Sequence, residues 1–155
     1  MSPELNYKVV PLKEVPLGKP LREGRKQRRV LVVDDERVIA DTLSVILSRA
    51  GFSVMTAYDG ESAWKLASAV MPDLLLSDVM LGPGIDGAQL AIQVVADCPA
   101  CKVLLFSGHA ATANLLAEVH GQGYDFALMT KPVHPSDLLA RLAESLAPQG
   151  VSVEA

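Results

Sequence analysis

The fold of this chain is decided by the stretch Arg29–Glu36, which reads RVLVVDDE. An unbroken run of aliphatic and β-branched residues of this length predicts a strand that is buried on both faces of a sheet. Asp34 and Asp35 follow at the carboxyl end of that strand. In open α/β sheets the carboxyl ends of the strands form the edge at which ligands bind. The stretch therefore indicates an α/β fold with an acidic site.

Three later apolar runs repeat this arrangement, and each of them ends in polar residues. They are Leu74–Ser77 before Asp78, Val103–Phe106 before Ser107 and Gly108, and Tyr124–Met129 before Thr130, Lys131 and Pro132. Parallel strands place their carboxyl ends at one edge of a sheet. We therefore expect three carboxylates, the Ser107 hydroxyl and the Lys131 ammonium to lie together.

Apolar residues at helical spacing predict the helices that connect these strands. The predicted helices are Glu36–Ala50, Glu61–Val70, Gly87–Asp97, Ala111–His120 and a last helix that begins at Pro135. A further strand is predicted over Phe52–Ala57. Strands and helices therefore alternate along the chain.

The side chains at the predicted edge suggest phosphoryl-transfer chemistry. Asp34, Asp35 and Asp78 would repel one another without a cation, and oxygen ligands alone suit a hard ion such as Mg²⁺ or Ca²⁺. One carboxylate can then act as a nucleophile and hold a phosphoryl group as an aspartyl-phosphate. Lys131 would neutralise the phosphoryl oxygens, and Ser107 would donate a hydrogen bond to one of them. Phosphoryl transfer mainly requires such positioning and charge stabilisation.

The order and spacing of these residues resemble the receiver domain of response regulators in two-component signalling, over about residues 29–147. The family's acidic pair matches Asp34-Asp35, its phosphoacceptor matches Asp78, its Ser/Thr matches Ser107 and its Lys-Pro pair matches Lys131-Pro132. Each motif alone is weak, but five such positions in order, each after an apolar strand, are specific together.

The resemblance implies a flavodoxin-like three-layer α/β sandwich with a five-stranded parallel sheet in the order 2-1-3-4-5. It also implies that Mg²⁺ binds between Asp34, Asp35, Asp78 and the backbone carbonyl of Met80. A cis peptide bond before Pro132 would aim the preceding lysine inward.

The resemblance further implies a stand-alone response regulator that accepts a phosphoryl group on Asp78. Such a protein is not an enzyme on other substrates, since it catalyses only its own phosphotransfer and dephosphorylation. A sensor histidine kinase or a histidine phosphotransfer protein would supply the phosphoryl group. An output protein would read the phosphorylated state, and the charge-poor helix Ala111–His120 is a candidate surface for that contact.

Three features depart from the receiver pattern. The run from Asp78 to Gly87 is one residue longer and rich in glycine. Met80 stands where the family places a side chain beside the attacking water, so we expect slow self-dephosphorylation unless His109 orients that water. Leu128 stands where receivers commonly carry an aromatic residue that turns inward during the switch. We therefore expect a switch that works without an aromatic gate.

Composition and charge divide the chain into a body and an arm. The chain has 155 residues, of which 50% are apolar, and this suits one domain with extensions. Residues 1–29 carry a net charge of +5, and the remainder carries −9. We expect a proline-rich basic extension over residues 1–28, a receiver domain over residues 29–147 and a tail over residues 148–155.

The same data predict where the protein acts. No apolar segment reaches membrane-spanning length without interruption, and the first residues lack the apolar core of a signal peptide. We therefore expect a cytoplasmic protein without a membrane partner. The acidic body disfavours direct binding of nucleic acid.

Several alternatives stay open at this point. The basic end of the extension, Arg22–Arg29, is either a solvated tail or an arm that binds nucleic acid or another anionic partner. A phosphohydrolase of the haloacid-dehalogenase type also forms an aspartyl-phosphate, but its Asp-x-Asp pattern does not match Asp34–Arg37. We interpret Cys98–Cys101, a C-x-x-C motif, as a turn rather than a redox or metal site. We interpret Trp64 as a packing residue.

Overall fold

Five strands alternate with five helices in residues 27–108 and 112–146, the part of the chain that the computed structural model describes. The strands are β1 (Arg29–Val33), β2 (Ser53–Ala57), β3 (Leu74–Asp78), β4 (Lys102–Ser107) and β5 (Ala127–Thr130). The helices are α1 (Arg37–Arg49), α2 (Gly60–Val70), α3 (Gly87–Asp97), α4 (Thr112–Gly121) and α5 (Pro135–Ser145). The strands form one parallel sheet in the order β2-β1-β3-β4-β5, which confirms the predicted topology.

Helices cover the sheet on both faces because the side chains of each buried strand alternate between them. One face packs against α1 and α5, and its strand residues are Val30, Val32, Leu74, Leu76, Leu104 and Phe106. The other face packs against α2, α3 and α4, and its strand residues are Leu31, Val33, Leu75, Val103 and Leu105. Burial of each such side chain contributes roughly 1.5–3 kcal/mol to folding. The apolar runs that predicted the strands therefore form the two cores of a three-layer sandwich.

Local signals fix where the helices begin at the site edge of the sheet. The Asp59 side chain accepts a hydrogen bond from Ser62 N at the start of α2. Asp86 and Gln89 form a capping box at the start of α3. Pro135 occupies the first turn of α5. The starts of α3 and α5 end the loops that follow Asp78 and Lys131, two of the predicted site residues.

The largest difference between predicted and observed bounds lies at β5. The strand was predicted from Tyr124, but it begins at Ala127. Only four residues of β5 pair with β4, beginning with Ala127 opposite Leu104. Tyr124 and Phe126 instead stack on each other, with ring centroids 5.6 Å apart. Ala111, the predicted first residue of α4, lies outside the described residues.

Two arginines of the predicted basic arm make structural hydrogen bonds. Arg29 Nη1 donates to the carbonyl oxygen of Val70 at 2.7 Å, at the carboxyl end of α2. Arg28 Nη1 donates to the carbonyl oxygen of Leu146, just after α5. Both guanidinium groups therefore lie at the carboxyl ends of helices, where the helix dipole favours a cation. The rest of the arm, residues 1–26, and the predicted tail lie outside the described residues.

We interpreted Trp64 as a packing residue rather than a functional one, and the structure places it on α2 within reach of α3. Its side chain is 40% exposed, and Nε1 donates to Asp97 Oδ2 at 3.2 Å, which links α2 to α3. Cys98 and Cys101 are buried free thiols. Burial raises the pKa of Cys101 to about 12, which opposes a reactive thiolate and favours the turn interpretation. No helix in the described residues is long and apolar enough to cross a membrane.

Candidate functional site

Three carboxylates meet at the carboxyl edge of the sheet. Val33 pairs with Ser77 in the β1–β3 register, so the residues that follow, Asp34 and Asp78, are neighbours. One carboxylate oxygen from each of Asp34, Asp35 and Asp78 lies within 4.8 Å of the others. The structure thus brings together the three side chains predicted to bind a metal.

Burial sets the electrostatics of this cluster. Asp34 is fully buried and Asp78 is 8% exposed, whereas Asp35 is exposed. Burial raises the pKa of the Asp34 carboxyl, and the hydrogen bond from Glu36 N at 2.9 Å opposes that shift only in part. A buried charge is costly unless it is paired. The cluster therefore favours a cation.

Lys131 is the cation that the structure supplies. Its Nζ lies 2.8 Å from Asp78 Oδ2 and 3.3 Å from Asp34 Oδ2. Burial alone would lower the pKa of Lys131, but the hydrogen bonds and charges of the two carboxylates outweigh it and raise the pKa. One ammonium facing three carboxylates leaves negative charge uncompensated. The oxygen-only donors that remain fit a hard divalent cation.

The loop after β5 directs the lysine into the cluster. Thr130 pairs with Ser107 at the end of β4, and Lys131 N donates to the Ser107 carbonyl oxygen at 3.0 Å. The Lys131-Pro132 bond is cis, which confirms the prediction. A Cβ at Gly108 would lie 3.3 Å from Lys131 Cδ, so the glycine leaves room for the lysine stem.

The backbone around Asp78 is held by close packing that the sequence alone did not reveal. Met80 N donates to Asp78 Oδ1 at 3.3 Å, and Ser77 Oγ donates to the Asp78 carbonyl oxygen at 2.8 Å. A Cβ at Gly87 would lie 2.0 Å from that same carbonyl oxygen. Gly87 N donates to the Val79 carbonyl oxygen at 2.7 Å. The first residue of α3 must therefore be glycine if Asp78 is to keep its position.

The remaining predicted residues lie around this centre. Ser107 ends β4 and is half-buried. Met80 is 38% exposed, as is Leu128 on β5, while Phe126 packs into the core between the sheet and α2–α4. His109, whose side chain we considered for orienting water, lies outside the described residues.

A comparison with protein families identifies the chain. Residues 30–143 match the response regulator receiver domain, which covers more than half of the sequence. The chain belongs to this family. The site at the strand ends is therefore the acidic pocket of a receiver domain, and receiver domains bind Mg²⁺ at such a pocket. The receiver belongs to a response regulator of two-component signalling, and such regulators partner with histidine kinases.

Two curated relatives have similar sequences. The receiver is 35% identical over 123 residues to the probable transcriptional regulatory protein TcrX of Mycobacterium tuberculosis, covering 79% of this chain and 51% of the relative. It is 35% identical over 115 residues to the alkaline phosphatase synthesis transcriptional regulatory protein PhoP of Bacillus subtilis. This match covers 74% of this chain and 47% of the relative. The chain therefore spans about half the length of these two relatives.

Solved structures show the same fold. A CheY-like receiver domain from Methanospirillum hungatei is 28% identical, with a TM-score of 0.70 over 77% of this chain and 94% of that one. The structure of a putative response regulator from Chloroflexus aurantiacus is 30% identical, with a TM-score of 0.68 over 79% of this chain and 100% of that one. These likenesses confirm the flavodoxin-like fold of the receiver.

Proposed function

We propose that this receiver accepts a phosphoryl group from a phosphohistidine donor onto Asp78 in a Mg²⁺-dependent reaction. The observation that carries the proposal is the position of Asp78 Oδ2, 2.8 Å from Lys131 Nζ and beside the carboxylates of Asp34 and Asp35. An Asp78 oxygen forms the new O–P bond while the P–N bond of the donor breaks. The imidazole leaves with the electron pair of that bond.

Asp78 is the best nucleophile of the three carboxylates because of what surrounds each of them. Asp34 is fully buried, which keeps its oxygens from an incoming phosphoryl group. Hydrogen bonding does not separate Asp34 from Asp78, because both oxygens of each carboxylate accept a hydrogen bond. Asp35 is exposed at the rim of the cluster. Asp78 is partly accessible and already lies beside the ammonium that would bind the incoming phosphoryl oxygens.

The other side chains have separate roles in this proposal. Asp34, Asp35, Asp78 and the Met80 carbonyl would hold Mg²⁺, which supplies charge neutralisation for the phosphoryl oxygens when it is bound. Lys131 keeps its contact with Asp34 while it turns from the Asp78 oxygen to a phosphoryl oxygen. The Ser107 hydroxyl donates a hydrogen bond to another phosphoryl oxygen. Together they position and stabilise the group without forming covalent bonds to it.

We propose that the donor is a sensor histidine kinase or a histidine phosphotransfer protein, and that the exchange takes place in the cytoplasm. The phosphorylated state would be read by an output protein at the surface of α4 and β5. On the described part of that surface Ala113, Asn114 and Ala117 are exposed and uncharged, and Leu128 on β5 is 38% exposed. The assignment of residues 29–147 to the receiver, with an extension before it and a tail after it, belongs to the same proposal.

Binding of nucleic acid by the basic extension is the weaker candidate. TcrX and PhoP are named as transcriptional regulators, but those names describe proteins about twice the length that this chain matches. The Arg28 and Arg29 side chains donate to helix-end carbonyls. Salt-sensitive binding that disappears when residues 1–28 are removed would support this candidate instead.

The proposed phosphotransfer can be tested with acetyl phosphate, a small phosphoryl donor, and intact-protein mass measurement. With Mg²⁺ the protein should gain one phosphoryl group, and chelation of the metal should abolish the gain. Asp78→Asn should abolish it as well, whereas Asp125→Asn, an exposed carboxylate in the loop before β5, should leave it unchanged. Equal labelling of Asp78→Asn and the unmodified protein would overturn the proposal.

A further inference from the structure

The loop between β3 and α3 is fixed at both of its ends. Leu81 is 2% exposed and packs in the core between the sheet and α2–α3. Ile85 packs against the amino end of α2, since a Cβ at Gly60 would lie 2.4 Å from Ile85 Cγ1 and 2.8 Å from the Ile85 carbonyl oxygen. Between these two anchors residues 82–84 are exposed. The loop is therefore a short exposed bridge held between one buried side chain, Leu81, and one half-buried side chain, Ile85.

Gly82 lies on this bridge directly beside the acidic cluster. Its φ is +79°, and a Cβ there would lie 3.3 Å from Asp35 Oδ2. That separation is tighter than nine in ten real Cβ contacts, so the carboxylate would have to move by a few tenths of an ångström. Because Leu81 and Ile85 hold the loop on either side of Gly82, they oppose movement of the loop away from Asp35. Asp35 is the exposed member of the acidic cluster. The displacement would therefore fall on Asp35.

Displacement of one ligand matters differently for different ions. Mg²⁺ requires near-ideal octahedral geometry at about 2.0–2.1 Å, whereas Ca²⁺ accepts flexible geometry at about 2.3–2.6 Å. A carboxylate moved by a few tenths of an ångström is thus a poor ligand for Mg²⁺ and still an acceptable one for Ca²⁺.

We propose that Gly82 is a positioning residue of the metal site, which leaves the Asp35 carboxylate room to face the cluster and supports selectivity for Mg²⁺ over Ca²⁺. The inference rests on the proposed Mg²⁺ site. It assigns a role to the glycine-rich bridge by which the run from Asp78 to Gly87 departs from the receiver pattern.

The chain offers a matched control for this inference. Gly84 also has a positive φ, +94°, but a Cβ there meets nothing within 4 Å. Gly82→Ala and Gly84→Ala therefore impose the same kind of backbone strain, and only the first places a methyl group against Asp35. A difference between the two variants isolates the contact from the strain.

The experiment is a calorimetric titration of each variant with Mg²⁺ alone and with Ca²⁺ alone, without a phosphoryl donor. Gly82→Ala should bind Mg²⁺ about tenfold more weakly than Gly84→Ala, as expected for loss of a support to a metal ligand. The affinity for Ca²⁺ should change much less. Equal loss of Mg²⁺ affinity in the two variants, or equal loss for the two ions, would overturn the inference.

Two further measurements separate the possible failures. In an Asp35→Ala background, Gly82→Ala should cause no additional loss of Mg²⁺ affinity, and an additional loss would contradict a role through Asp35. If the alanine variants do not fold, the pair Gly82→Asn and Gly84→Asn repeats the comparison, because asparagine adopts positive φ more readily. A folded protein without substitutions that binds no Mg²⁺ would instead overturn the proposed function itself.

Discussion

Replacement of Gly87 with alanine would place a methyl carbon 2.0 Å from the carbonyl oxygen of Asp78 and 2.9 Å from Val79 Cα. Real Cβ contacts essentially never fall below 3.0 Å, so the start of α3 and the end of β3 would have to separate by about 1 Å. Such overpacking costs about 1–3 kcal/mol. The same movement weakens the hydrogen bond from Gly87 N to the Val79 carbonyl oxygen, worth about 1 kcal/mol.

We therefore expect Gly87→Ala to lower the free energy of unfolding by roughly 2–4 kcal/mol, a large part of the roughly 5–15 kcal/mol of a typical domain. Urea unfolding followed by circular dichroism measures this loss. Gly121→Ala is the control, because a Cβ at this last residue of α4 meets nothing within 4 Å. It should be neutral or stabilising by up to about 1 kcal/mol. A loss below about 1 kcal/mol for Gly87→Ala would refute the packing argument.

Other predictions concern charge, strain and lifetime. Burial raises the pKa of Asp34 above its ordinary value of 3.8, so the folded state binds that proton more tightly and stability falls as the pH rises above 3.8. Asp34→Asn should therefore raise the free energy of unfolding at pH 7 without divalent ions, and urea unfolding that shows a decrease would contradict this. Mg²⁺ at about a hundred times its Kd should stabilise the unmodified protein by about 2.7 kcal/mol, and a Tm independent of Mg²⁺ would argue against binding. Met71 ends α2 with a φ of 58°, so Met71→Gly should stabilise the protein by about 1 kcal/mol in thermal unfolding, and no change would show that the conformation is unstrained. Met80→Asn should shorten the half-life of the phosphorylated protein, because an amide can orient the attacking water and a thioether cannot, and an unchanged decay of the phosphorylated mass would refute this role.

The acidic cluster could be predicted from the sequence because it follows from the parallel sheet itself. Once β1 and β3 are buried parallel neighbours, the residues after them must meet at one edge. Asp34, Asp78 and Lys131 were placed in this way. The strand propensities of single residues were not needed for this prediction, since the apolar runs alone indicate where the strands end.

Contacts between distant loops could not be predicted in the same way. The approach of Gly82 to Asp35 depends on how Ile85 packs against Gly60, and no local pattern encodes that contact. For Trp64 the sequence predicted a packing role, but it did not show that the indole nitrogen donates to Asp97 while the side chain stays 40% exposed. Tertiary geometry decides such positions, whereas periodicity decides only the face of an element.

The same limit explains the basic residues next to β1. A run of arginines near a chain end indicates a solvated or anion-binding arm. In the structure Arg29 instead satisfies a carbonyl at the end of α2, and its backbone N donates to Asp73 Oδ2 at 2.8 Å. Charge patterning gave no sign of this because the partner atoms are backbone carbonyls and a buried carboxylate far away in sequence.

The central claim, that Asp78 is the residue phosphorylated, is tested most directly by locating the acyl phosphate. The protein is incubated with acetyl phosphate and Mg²⁺ and then reduced with borohydride, which converts an aspartyl-phosphate to homoserine. Peptide mass spectrometry locates the converted residue. We predict homoserine at position 78 and unchanged aspartate at Asp34 and Asp35. Conversion at either of those two residues, or at a site outside the cluster, with Asp78 intact, would contradict the account.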